Sequence, residues 1–549
     1  MHEESSQGST ASLLRPRVPR PIPLSTVLGR LGLLAGTTSG KNLPDVSGIT
    51  LDSRSVLPGD VYAALPGATR HGAEFALQAI RSGAVAIITD TAGATRAESL
   101  LGAKGISVPV VVVPDPRRAL GQLARAIFVS QPEDGDGRPT RPTVFGVTGT
   151  NGKTTTTYFL SALLEALDRS AGLIGTIEIR AGGEAIPSAL TTPESPQVHS
   201  LLALMRERGL AATVMEVSSH ALEFGRVDGV RFDVVGFTNL TQDHLDLHGT
   251  MDDYYAVKAS LFSPQRARQA VVAVDDEWGR RLAREAGIPV TTVRTDPSAP
   301  QKGRPADWTV TDVEPSRLGH SFVLTGPRDT RLRLRTGLPG TFNISNAALA
   351  ALMVLESGIP AQEVQRALDL HDPFTTEVPG RMQLIGEQPA AIVDFAHNPD
   401  ALARTLSSVR QPGGRVIAVF GATGQRDETK RPVMGAVGAR LADILIVTDD
   451  DPHDEDDAAI RRAVLAGAKA AVQDERLSCE VMEVFPRAEA IERAVALATA
   501  SDTIVVAGRG HEVWQEVKGV NLVLDDRVEL RSALTRHGFY ACSDLGIKS

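Results

Sequence analysis

The stretch GVTGTNGKTTTTYFL, residues 146–160, sets three glycines, an asparagine, a lysine and a run of threonines between two apolar segments. A loop of this kind turns backbone N–H groups toward an anion and sits at the positive end of the following helix, so it cradles phosphate. Gly149, Thr150, Asn151, Gly152, Lys153, Thr154 and Thr155 are the candidate phosphate-binding residues; Lys153 adds a cation and Thr154 a hydroxyl suited to Mg²⁺. The loop is a variant, because the strict P-loop pattern has glycine at 147, where this chain has Val147 after Gly146.

A P-loop serves GTPases, transport ATPases and kinases alike, so its neighbours must decide. MEVSSHALEFGRV, 215–227, puts Glu216 at a strand end, followed by Ser218, His220 and Arg226. NLTQDHLDLHGTMDDYYAVKASLF, 239–262, adds Asp243, His244, Asp246, His248 and Lys258. A carboxylate, an imidazole and hydroxyls beside a triphosphate are the chemistry of a magnesium site. Taken alone, a lysine such as Lys258 is more often a solvated helix residue.

These residues need strands and helices to position them. Phe159, Leu160, Leu163, Leu164 and Leu167 recur at helical spacing, so the segment after the loop is read as a helix with one buried stripe. Strand-like runs such as TVFGVTG, AATVMEVSS, VVGFTNL and AVVAVDD alternate with helical ones, and AAIVDFA, RVIAVFGA, DILIVTD and TIVVAG do so again later. That alternation predicts α/β architecture with parallel sheets and ligands at the carboxyl ends of the strands. The expected organisation is a disordered tail over 1–25, a small N-terminal α/β domain over 26–136, a central P-loop-type domain over 137–377 and a C-terminal Rossmann-like domain over 378–549. The polar stretch SQPEDGDGRPTRP, 130–142, is the first linker.

The 549 residues are too many for one core. The net charge of −9 gives no support to nucleic-acid or anionic-membrane binding. Cys479 and Cys542 have no metal spacing and read as reduced thiols of a cytoplasmic enzyme. No apolar run is long enough to span a bilayer, and a monomer is expected.

GTNGKTTT, EVSSHAL, NLTQDHLDLHG and YYAVKASLF, in this order, resemble the Mur ligase family of ATP-dependent amide-bond-forming enzymes. LDSR at 51–54, TTPE at 191–194, FNISN at 342–346, VDFAHNPDAL at 393–402, RDETKRP at 426–432 and GRGHE at 508–512 extend the resemblance over about residues 45–530. Within the family it is most similar to the ligase that adds the third residue to UDP-N-acetylmuramoyl-L-alanyl-D-glutamate. The resemblance implies that ATP phosphorylates a substrate carboxylate and an amine then attacks the acyl phosphate. It implies Lys153, Glu216, His244 and Lys258 as catalytic residues. Thr154, Glu216, His244 and Lys258 would hold Mg²⁺, two ions in all, with Lys258 carrying CO₂ as an N6-carboxylysine carbamate. Asn343, Asn346, Arg381, Asp394 and His397 match ATP-side positions, with Phe395 where relatives have Tyr. Ser53, Arg54, Thr191, Thr192, Ser218 and Arg226 would hold the UDP-linked dipeptide in the small N-terminal UDP-binding domain and beside it; Phe224 stands where relatives often carry a polar residue.

For the incoming amino acid, the resemblance implies Arg426, Asp450, Asp451, His453, Gly508 and Glu512. Relatives that add meso-diaminopimelate read Asp-Asn-Pro-Arg where this chain reads Asp450-Asp451-Pro452-His453, and their Arg grips the far carboxylate. One cation is lost here and one anion gained, so the expected acceptor is L-lysine, with L-ornithine or meso-diaminopimelate as alternatives. His453, Arg461 and Arg509 are the cations left for a carboxylate. A folylpolyglutamate synthase-like ligase and an ATP-hydrolysing regulatory switch are more remote alternatives.

Overall fold

The computed structural model describes residues 14–542 apart from 19, 35–41, 68, 133–140, 184, 297–303 and 317. Three sheets carry the architecture. The first has four parallel strands, Gly48–Thr50, Asp60–Ala64, Ala86–Thr89 and Val110–Val112, in sequence order. Their residues are almost all buried, as strands covered on both faces must be. Helices Thr91–Gly102 and Pro116–Phe128 begin on Asp90 and Asp115, each accepting a backbone N–H with its side chain.

The central sheet has eleven strands. The phosphate-loop strand Thr143–Thr148 lies between Ala212–Glu216 and Phe232–Phe237, parallel to both. This is a switch point: the loops leaving the three strands diverge and open a crevice at their carboxyl ends. Helix Lys153–Ala166 buries the expected stripe of Phe159, Leu160, Leu163, Leu164 and Leu167 against Leu349, Leu352 and Met353 of helix Phe342–Glu356. Each such side chain removed from water stabilises by about 1.5–3 kcal/mol. The sheet is mixed rather than wholly parallel. Strands Trp308–Ser316, Gly319–Thr325 and Arg331–Thr336 pair antiparallel at one edge, and Glu178–Arg180 and Ala185–Pro187 at the other. Arg331–Thr336 alternates exposed arginine with buried leucine, the period-2 pattern of a strand with one wet face.

The third sheet runs Gln383–Glu387, Ala390–Asp394, Thr503–Ala507, Val416–Phe420, Ile444–Val447, Glu480–Glu483; all pairs are parallel except the first. A separate hairpin, Trp514–Val517 with Val520–Val523, follows its strand Thr503–Ala507.

Part of the expected tail is built into the fold. Leu14 is buried, and its carbonyl accepts from Ser200 Oγ at 2.9 Å. Arg15 forms a two-pronged pair with buried Asp60 at 2.9 and 2.8 Å and lies 5.3 Å from the centroid of Phe128. The Arg17 amide donates to Glu207. Ile22–Pro23 pairs with Asp45–Val46, and helix Leu24–Arg30 buries Leu24, Val27 and Leu28. The polar and proline-rich composition of this stretch masked a few well-placed anchors. Residues 1–13 of the tail, and 133–140 of the linker, lie outside the described residues. Among the described residues, no helix is long and apolar enough to cross a membrane.

Candidate active site

Strand Thr143–Thr148 ends at Gly149, whose φ of +143° suits glycine alone, and a Cβ there would lie 1.9 Å from Thr238 Oγ1. Gly152, at φ +88°, caps helix Lys153–Ala166, and a Cβ on it would meet Asn346 Oδ1 at 2.4 Å. Both glycines are therefore fixed by space as well as by conformation. Asn239 closes the loop from the neighbouring strand end, with its Oδ1 accepting from Asn151 N–H at 3.0 Å.

Lys153 Nζ donates to the carbonyls of Gly149 and Thr150 at 3.1 and 2.8 Å. Lys258 reaches the same loop from helix Met251–Ala259 and donates to Gly149 O at 2.9 Å, with its ammonium 4.8 Å from the Tyr254 ring centroid. Lys258 is 1% exposed. Burial drives both lysines down from their ordinary range, Lys258 far down, and Lys153 pushes Lys258 further.

Glu216 is fully buried at its strand end and takes four donors: Thr154 Oγ1 at 2.9 Å, Thr176 N and Oγ1 at 2.8 and 3.0 Å on its carboxylate, and Thr192 Oγ1 on its backbone carbonyl at 2.7 Å. His244 holds a left-handed φ of +53° next to Asp243. Burial brings its imidazole down to about 4, so the ring is neutral with a lone pair to give. Asp243 is pushed up by burial, but His397, His244 and Lys430 outweigh this and hold it at about 2. His220 packs edge-on to His244 with ring centroids 4.9 Å apart.

The third sheet meets this loop directly. Asn151 Nδ2 donates to Asp400 at 3.1 Å; Asn398 Nδ2 reaches Asn151 and Asp243 at 3.4 and 3.3 Å. Arg381 donates to Thr154 Oγ1 at 3.2 Å and lies 4.2 Å from the centroid of Phe395. The ring face that a tyrosine would also present is thus kept for the guanidinium, without the hydroxyl. Asn346 and Asn343 are buried beside Gly152 and bonded to each other at 2.9 Å. Asp394 is a scaffold residue: its carboxylate is filled by Met382 N, Ala396 N and Thr405 Oγ1. Thr155 is buried in the first turn of the loop helix. His397 stands 3.8 Å from Asp243.

At the other side, Thr191 meets Thr176, Ser218 accepts from Ala221 N–H at the start of helix Ser219–Glu223, and Arg226 donates to Glu194 at 2.9 Å and to Thr192 O. Glu194 also takes Arg117 from the N-terminal unit at 3.3 Å. Among the described residues, no hydrogen bond or ion pair joins Ser53 or Arg54 to this cluster. Ser53 bonds Gln78, and Arg54 is occupied by Asp52. Glu194, Arg117 and Thr176 were not singled out from sequence; Asn398 lies inside the quoted VDFAHNPDAL motif and also caps helix Pro399–Ser408.

The three carboxyl-end loops of the third sheet converge. Gly424 N–H donates to Asp451 O, and a Cβ on Gly508 would lie 2.5 Å from Asp450 Oδ2. Asp450 and Glu512 face this junction. Burial pushes Glu512 up to about 8, Asp450 adding to the rise and Arg509 opposing it. Arg426 is exposed, and among the described residues its guanidinium bonds its neighbour's carbonyl. The extra anion of the loop does not stand free. Asp451 is paired with the fully buried Arg509, which also bonds Trp514 O. Arg461 is likewise consumed, by Asp449, Asp457 and Glu483. The charge argument for L-lysine therefore loses one of its two units.

Among the described residues, no three His, Cys, Asp or Glu side chains converge as a metal site. One buried carboxylate on a P-loop hydroxyl is what they offer, and this donor set fits a hard cation shared with phosphate oxygens.

Three family models match in order: "Mur ligase family, catalytic domain" over 45–127, "Mur ligase middle domain" over 147–354 and "Mur ligase, glutamate ligase domain" over 380–510. The chain belongs to the Mur ligase family. Mur ligases are ATP-dependent, amide-bond-forming enzymes of peptidoglycan synthesis. A UDP-N-acetylmuramoyl-L-alanyl-D-glutamate--2,6-diaminopimelate ligase of Streptomyces avermitilis is 44% identical over 525 residues, covering 94% of this chain and 98% of its own. A UDP-N-acetylmuramyl-tripeptide synthetase of Leifsonia xyli subsp. xyli is 43% identical over 97% of this chain and 99% of its own. Among solved structures, a UDP-N-acetylmuramoyl-L-alanyl-D-glutamate--2,6-diaminopimelate ligase aligns with a TM-score of 0.62 at 27% identity, over 95% of this chain and all of that one. Two of these three relatives are named for 2,6-diaminopimelate rather than L-lysine, and the third name specifies no amino acid.

Proposed function

We propose that this Mur ligase joins a diamino acid to UDP-N-acetylmuramoyl-L-alanyl-D-glutamate, with meso-diaminopimelate as the acceptor. The observation that carries the reaction is the convergence of Lys153, Lys258, Thr154 and Glu216 on one glycine loop that the third sheet touches through Arg381 and Asn398. The acceptor assignment rests on the relatives and on the pairing of Asp451 with Arg509.

In this reading, loop N–H groups and Lys153 hold the ATP phosphates, with Asn343 and Asn346 shaping the loop's far wall. Thr154, Glu216 and His244 would hold magnesium, which supplies Lewis-acid screening where two anions must meet. A dipeptide carboxylate oxygen attacks the terminal phosphorus, ADP leaves, and the acceptor amine displaces phosphate from the acyl carbon. Thr191, Thr192, Ser218 and Arg226 orient the dipeptide carboxylate, and Ser53 and Arg54 the nucleotide end. Asp450 attracts the acceptor's ammonium, Glu512 offers it a carbonyl oxygen as hydrogen-bond acceptor, and Arg426 binds its carboxylate. Lys258 enters as a carbamate. Its depressed ammonium makes the neutral, CO₂-reactive amine accessible, and carboxylation turns a repelled cation into an anion beside the metal.

The test is ADP release with the UDP-dipeptide and each amino acid in turn. Release with meso-diaminopimelate alone supports the assignment; release independent of any acceptor sinks the ligase reading for this site. His453, standing where an arginine is expected, favours L-lysine or L-ornithine as the second reading. Activity with those acceptors alone would establish it.

A further inference from the structure

The hairpin Trp514–Val517 and Val520–Val523 is stitched to the acceptor loop. Gln515 Nε2 donates to Asp450 O at 2.6 Å, Glu516 N–H to Asp451 Oδ1 at 3.2 Å, His453 N–H to Glu516 O at 3.3 Å and Lys518 N–H to His453 O at 2.8 Å. A side-chain contact completes the set: His453 Nδ1 meets Glu516 Oε2 at 3.0 Å. His453 holds a φ of +52°, a left-handed conformation that strains a non-glycine residue. The hairpin's bonds offset that strain and fix where the imidazole stands.

Two cations beside the loop are absorbed, Arg461 by three carboxylates and Arg509 by Asp451, while Arg426 stands exposed. His453 and Glu516 form a hydrogen-bonded pair that keeps free edges. With Nδ1 given to Glu516, Nε2 is the nitrogen left for a ligand, and Glu516 Oε1 has no partner among the described residues. When the ring binds a second proton, Nε2 donates to a ligand carboxylate, and that ring beside a carboxylate complements a ligand end that carries both carboxylate and ammonium. The far carbon of a diamino diacid bears that combination, whereas the far end of lysine bears an ammonium alone.

We propose that Glu516 is a specificity-determining residue of this ligase: it orients His453 toward the acceptor's distal carboxylate and offers its own carboxylate to the distal ammonium. This rests on the reading of the chain as a diamino-acid-adding ligase. The test is steady-state kinetics of the full-length enzyme, Glu516→Gln, Glu516→Asp and His453→Gln, with meso-diaminopimelate and L-lysine as acceptors. The expected result for Glu516→Gln is an acceptor KM raised about tenfold or more, with kcat and the KM values for ATP and UDP-dipeptide within about twofold. The ratio of kcat/KM between the two acceptors should move at least about fivefold, and Glu516→Asp should recover part of the loss. A wild-type preference for L-lysine would overturn the amino-acid assignment while Glu516→Gln still judges this inference. An unchanged acceptor KM and ratio in Glu516→Gln overturns the inference whichever amino acid is used. So does a loss shared equally by all three substrates.

Discussion

Lys153 and Lys258 donate to one acceptor, the Gly149 carbonyl oxygen, at 3.1 and 2.9 Å. Both lysine nitrogens are buried on one oxygen, and Lys153 adds to the burial that lowers Lys258. The carbamate reading predicts that Lys258→Ala lowers kcat by about 10²-fold or more, the scale of losing one charged group in a preorganised site. Added short-chain carboxylic acids should restore part of it. Full activity of the unsupplemented variant would dispose of the carbamate.

Glu216 and Thr154 make the second prediction. Glu216→Gln keeps the size of the side chain but replaces one carboxylate oxygen with an amide. The magnesium concentration for half-maximal rate should rise by about 10–100-fold. Magnesium titration at saturating ATP measures it, and an unchanged requirement would exclude Glu216 as a ligand.

Arg509 and Asp451 make the third. Arg509→Met leaves Asp451 without its partner in the wall of the third module, and urea unfolding should show a loss of about 3–5 kcal/mol. The double variant Arg509→Met with Asp451→Leu should recover most of it, because the uncompensated charge is gone. Equal losses in single and double variants would mean that the pair is not the cause.

His199 makes the fourth. It is fully buried between Ser130 Oγ at 2.8 Å and Asp228 O at 2.9 Å, and burial lowers its imidazole to about 4. The unfolded chain takes up this proton near pH 6.5, the folded one near 4. The contribution is therefore present above 6.5 and fades as pH falls toward 4. Between pH 7 and 5 the loss amounts to about 2 kcal/mol. Chemical denaturation at both pH values should show it, and His199→Gln should flatten that difference.

The phosphate loop, its helix and most strands of the α/β architecture were legible in sequence because each rests on local patterning: glycines at forced turns, leucines at helical spacing, apolar runs ending in polar loops. The resemblance supplied the roles of Glu216, His244 and Lys258, and the structure sets Glu216 and Lys258 against the loop while His244 lies beside them next to Asp243. What local pattern could not reveal was long-range pairing. Nothing around Asp451 announces that Arg509 will neutralise it, or that Arg54 will be spent on Asp52. Glu194 sat inside a quoted motif, yet its two arginines come from sequence segments on either side of it. The antiparallel edges of the central sheet went unread because attention followed strands that alternate with helices. The anchors Leu14 and Arg15 were hidden by the polar residues around them.

The Leu14–Arg17 strap gives the front module a second fastening besides its covalent joint. To swing away, that module would have to break the Arg15–Asp60 fork and expose Leu14, as well as release Ser130 and Arg117. The rear module meets the phosphate loop through a few side-chain hydrogen bonds longer than 3.0 Å. The front module is thus tied to the central one by a buried leucine, a two-pronged ion pair and the covalent joint, whereas the rear module reaches the phosphate loop through longer, fewer-pronged bonds.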